Sequence, residues 1–230
     1  MNENTILTKM FPVSNFDRVV LRAQHENRLN IVQGEREALT IQAPAEVLAR
    51  IRARVRSGSL EISLGGDWKE RLSDALTTSL TRPEIAYTLR VKQLASLDVY
   101  AMAFITAEHL NSKHLSVRFN GPGVLHIEDL AAQQLDIELT GASRVDVSGI
   151  ATEQNLTLRG LAQYDARRLQ SKRTEIEMTG AGIVTVWALE HLGVDIRGPG
   201  SVAYLGMPKV SENLSPLASL THLEGSGVPA

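Results

Sequence analysis

Apolar residues alternate with polar ones on both sides of a small-residue turn, and this unit recurs along the middle of the chain. The turns fall at Ala101, Gly121, Gly141, Gly160, Gly180 and Gly198, which are 20, 20, 19, 20 and 18 residues apart. Two residues before each turn stand Val99, Phe119, Leu139, Leu158, Met178 and Ile196; four after it stand Ile105, Leu125, Val145, Tyr164, Val184 and Val202. Nine after it, five copies carry Leu110, Leu130, Ile150, Leu169 and Leu189, which read as core residues. Period-two alternation marks a strand with one face inward. Repeated at a fixed interval, strand, corner and strand predict parallel pairing between copies. The expected fold is all-β, a right-handed parallel β-helix (β-solenoid) with coils of about 20 residues and one or two short capping or flanking helices. Small residues suit the corners because adjacent strands there approach to ~4.7–4.9 Å.

The pattern predicts a single domain over residues 11–224 between tails at 1–10 and 225–230. Residues 84–206 hold the regular coils, and 207–224, broken by Pro208 and Pro216, form an irregular last coil. Residues 11–83 hold a worn first coil and a helical insertion. Phe16–Leu21 and Arg28–Val32 read as strands, Pro44–Ala49 as a helix opened by proline, and Ser57-Gly58 as a hairpin turn. Trp68, Leu72, Ala75, Leu76 and Leu80 recur at helical spacing behind a possible cap at Asp67.

Three stretches add a resemblance to this pattern: Phe16-Asp17 before a strand, a return at Gln33-Gly34, and the closing run from Tyr204 through Gly206 to Pro208. With the glycine corners, they make residues 11–224 resemble the bacterial family described as putative auto-transporter adhesin, head GIN domain. The resemblance implies a β-helix and a non-enzymatic structural or interaction protein, exported or at the cell surface. The first ten residues have no basic segment before an apolar core and predict no signal peptide.

Composition removes several function classes. With no cysteine the chain can have neither disulfides nor thiolate chemistry, and a formal charge of -2 gives no ground for bulk capture of nucleic acid. No apolar run is long enough for a transmembrane helix. The six histidines lack any metal-site spacing, and the Gly-x-Gly turns are not followed by a phosphate-loop signature, so neither metal nor cofactor is expected.

Function is left to outward positions. Arg50, Arg52, Arg54 and Arg56 alternate with apolar residues and, on a strand, would line one face suited to an acidic polysaccharide or other surface ligand. The corner tips Met102, Pro122, Leu161 and Pro199 are apolar where the family places serine, which suggests an interaction ridge for self-association or docking. Carbohydrate binding or cleavage by His126, Asp146 and Asp165, stacked on one outward face, is the alternative; a self-associating intracellular scaffold is another. A solvated face is the stronger explanation of such an acidic ladder. A second ladder, with Arg118 between Asp98 and Glu138, reads as cross-strand charge pairing.

Overall fold

A computed structural model describes residues 5–23, 26–64 and 84–224. The helix expected at Asp67–Leu80 lies outside them. The described strands are β1 (Ile6–Phe11), β2 (Arg18–Arg22), β3 (Asn27–Gln33), β4 (Ala38–Pro44), β5 (Ile51–Arg56), β6 (Ser59–Leu64), β7 (Ile85–Val91), β8 (Ser96–Val99), β9 (Ala103–Glu108) and β10 (Asn111–Asn120). They continue as β11 (Gly123–Met178), β12 (Ala181–Ile196), β13 (Ser201–Leu205), β14 (Lys209–Leu214) and β15 (Ser219–His222). Among the described residues one helix, α1 (Ala45–Arg50), starts after Pro44, whose φ of -54° is already that of a first turn.

The expected right-handed parallel β-helix is corrected. All described strands belong to one mixed, nearly closed, barrel-like sheet. β1 with β4, β4 with β7, and β5 with β6 pair antiparallel, while the remaining ladders are parallel. The physical reason is that the repeat governs only strands one period apart. Before residue 84 the period is weak: one tight turn folds β5 onto β6, while β4 meets β1 and β7 across longer stretches of chain. Ser57 and Gly58, both at positive φ (48° and 75°), close the β5–β6 hairpin in two residues, as its twist requires.

Within the parallel part, the period appears as register. Val117 stands opposite Leu97 on one side and Ile137 on the other, Leu125 opposite Ile105, and Val184 opposite Tyr164 and Val202. These inward residues form a continuous core from Val13 to Val202. The corners stack as well. A Cβ on Gly180 would lie 2.2 Å from the Gly160 carbonyl oxygen, and one on Gly160, at φ 152°, would lie 2.6 Å from that of Gly141. No side chain fits there.

Two of the residues read as core point out: Ile150 is 65% and Leu189 43% exposed, and Ala151 and Ala188 are buried instead. Gly149, at φ 125°, turns the backbone immediately before Ile150. Before Leu189, irregularities at Ala166/Gln170 and Ser171/Arg173 shift the pairing, so Trp187 meets Gln170. Among the described residues the Ser143 hydroxyl is buried without a hydrogen-bond partner, while other polar groups inside the core are matched. The Gln154 amide donates to the Tyr164 hydroxyl at 2.8 Å, and the Ser171 hydroxyl lies 2.6 Å from that of Thr174. Nearer the N-terminal end, the Tyr87 hydroxyl donates to Asn27 at 3.1 Å.

Candidate functional site

The corner tips form an exposed surface. Leu161 is 67% exposed, Pro199 and Pro122 are exposed, and Met102 is half-buried. Leu161 and Pro199 line an open groove of about 690 Å³ with Ile183, Leu217 and Arg144; Met102 and Pro122 lie outside its walls. Leu217, in the last repeat, was not legible as a tip because Pro208 and Pro216 mask the period. Its place follows from the register of Ser201 on Ser219, which sets it one repeat beyond Pro199.

The arginine row is shorter than its spacing suggested. Arg50 ends α1, while Arg52, Arg54 and Arg56 lie exposed on one face of β5, opposite Ser63, Glu61 and Ser59. Those three make no ion pair with any described residue. Strand alternation foresaw this part, and Pro44 starting a helix at Ala45 accounts for the loss of Arg50.

His126, Asp146 and Asp165 all lie on partly exposed outward positions. Each carboxylate is held by an arginine of its own strand: Arg144 Nε donates to Asp146 at 3.0 Å, and Arg167 Nε to Asp165 at 2.9 Å. Asp146 draws the Arg144 pKa above its usual value, first by this hydrogen bond and then by its charge. The His126 ring lies 4.0 Å from Glu128. No cluster among the described residues could hold a metal ion. The second ladder pairs across strands, with Arg118 3.1 Å from Asp98 and 3.6 Å from Glu138. Asp136 belongs to a third network. Its partial burial pushes its pKa up, but hydrogen bonds from Asn155, Gln134 and His114 outweigh this and hold it below the usual carboxylate range.

The residues that carried the family resemblance have structural roles. Phe16 is buried. The Gln33 side chain bridges neighbouring strands, donating to the carbonyls of Lys92 (2.9 Å) and Asn111 (3.0 Å) and accepting from the Asn111 N–H at 2.6 Å. A Cβ on Gly206 would lie 2.0 Å from the Ala188 carbonyl oxygen.

The described residues form an all-β body with polar outward ladders and exposed apolar corner tips. The chain belongs to the family described as Putative auto-transporter adhesin, head GIN domain, whose profile matches residues 15–208. Among solved structures, it is similar to a putative adhesin from Bacteroides fragilis, at 20% identity and TM-score 0.82, over 95% of this chain and 97% of that one. It is also similar to a putative adhesin from Parabacteroides merdae, at 14% identity and TM-score 0.69, over 95% and 96% of the two chains. A third similar structure is a putative lipid binding protein from Parabacteroides distasonis, at 16% identity and TM-score 0.67, over 97% and 98%. These likenesses concern the fold. No curated protein matches the chain.

Proposed function

We propose that the protein is a non-enzymatic interaction module that binds a second copy of itself through the corner tips, with residues 11–224 acting as one cooperative body. The observation that carries this reading is the exposure of Leu161 (67%), Ile183 (59%) and Leu217 (77%) around one groove. Leu161 and Leu217 share the tip column with Ala181 and Pro199 between them, and Ile183 stands two residues along from Ala181; held by paired strands, the surface loses little conformational entropy on docking. Contiguous exposed apolar surface of this kind marks partner sites on soluble proteins. The family's adhesin description supports work at the cell surface. The test is light scattering across a concentration series. The wild-type chain should reach the mass of a dimer, and Leu161→Ser with Ile183→Ser should remain monomeric while retaining its thermal transition. A wild-type monomer at every concentration, or an undiminished dimer in the double variant, overturns the reading.

A further inference from the structure

We propose that the outward face of β5, β6 and β2 is a binding site for a linear acidic polysaccharide. The proposal rests on the reading of the protein as an interaction module, but uses a surface distinct from the tips. Register extends the arginine row into a two-dimensional array. Ser63 stands between Arg52 and Arg22, and Ser59 between Arg56 and Arg18. Arg18, Arg22, Arg52, Arg54 and Arg56 are all exposed. Along β5 they recur every ~6.6–6.8 Å, and β2 lies two strand spacings away, at roughly 9.4–9.8 Å.

The carboxylates facing this array are Glu61, opposite Arg54; Asp17, whose Oδ1 lies 3.6 Å from Arg18 Nε; and Asp98, next to Val20 and already paired with Arg118. Arg18 also donates to the Ser57 carbonyl at 2.6 Å. With Asp98 neutralised by Arg118, positive charge exceeds negative across the patch. Charge complementarity therefore calls for a polyanion.

Its neighbours favour sugar over bilayer. The positions between the arginines are Ser59, Glu61 and Ser63 on β6 and half-buried Val20 on β2; the two hydroxyls match a hydroxylated chain, and an interfacial membrane site would need several bulky apolar residues where there is one valine. At the margin Arg22 lies 4.0 Å over the ring of Tyr100, which is 41% exposed, an arrangement that places an aromatic edge and a fixed guanidinium side by side. Among the described residues the array lies open on one strand face, which suits a polymer lying across several strands better than a small anion.

The experiment measures binding of the whole chain to immobilised polygalacturonate, with dextran as neutral polymer and phosphatidylglycerol vesicles as a separate arm. Polygalacturonate should bind, dextran should not, and added salt should weaken the binding. Replacing Arg52, Arg54 and Arg56 by Gln should weaken it about tenfold. Glu61→Gln should strengthen it, a readout that survives even if the triple variant fails to fold. Leu161→Ser should leave it unchanged, so loss of the dimer and loss of polymer binding are told apart. Absence of binding to polygalacturonate, binding unaffected by the arginine substitutions, or binding to vesicles alone would each overturn the proposal.

Discussion

The sheet ends differently at its two extremes. At the N-terminal end it folds back: β1, carrying Lys9, lies antiparallel on β4, and β5, carrying Arg52, Arg54 and Arg56, on β6, each with one strand partner among the described residues. At the C-terminal end, β14 and β15 continue the parallel ladders and stop, each with one strand partner among the described residues. Yet both ends place a charge where the core column would continue. Lys9 stands opposite buried Ile41, and Glu212 opposite buried Val194. An inward-facing charge makes further strand addition costly, because the charge would lose its water. Topology and residue choice are thus separate devices against the same hazard.

The largest test asks whether the two ends belong to one folding unit. Gly180→Val would force a side chain against the Gly160 carbonyl, where even a Cβ would be at 2.2 Å. Such a clash has no flexible neighbour to absorb it, and the expected cost exceeds about 4 kcal/mol. Thermal unfolding followed by circular dichroism should show both ends lost in one transition. Survival of a separate N-terminal transition would show that the antiparallel end folds by itself.

A smaller effect compares the same two regions through their buried phenols. Tyr87, between β3 and β4, and Tyr164, in β11, each have a pKa pushed well above the usual phenol range by burial. A raised folded pKa means that the unfolded chain releases its proton first. Stability is therefore fully present below pH ~10 and falls as pH rises beyond it, by about 1.4 kcal/mol per pH unit for each tyrosine. Denaturant titrations between pH 9 and 11 should show this fall, and Tyr87→Phe and Tyr164→Phe should each remove half of it. A fall that only one substitution reduces would separate the regions energetically.

What could be read in advance follows the same division. Turn spacing located the stacked corners from Ala101 to Gly198 and most inward residues, because parallel register repeats the period directly. It could not supply the antiparallel end, where Leu39 pairs with Leu89 across a stretch of chain much longer than the period. Nor could it place Ile150 and Leu189, where one turned glycine and two pairing irregularities change the face. The arginine row was half legible: alternation gave Arg52, Arg54 and Arg56, but Arg18 and Arg22 join them only through strand pairing across β6. Leu217 needed the register of the last repeat in the same way.

The smallest expected change in stability carries the sharpest statement about the ends. Glu212 is exposed, so Glu212→Leu should alter the unfolding free energy by no more than about 0.5 kcal/mol. Its effect belongs to association. With leucine there, the column ending at Val194 would gain an apolar continuation beside half-buried Val210 and Leu214, and the open edge of β14 would offer unpaired backbone groups to another chain. The variant should form concentration-dependent oligomers by light scattering, even with Leu161→Ser and Ile183→Ser present to disable the tips. Lys9→Leu is the matching change on β1, a strand of equal length held antiparallel on β4, and should do less if the antiparallel return itself protects that edge. Equal association by the two variants would mean that charge alone protects both ends; no association by either would assign the protection to topology.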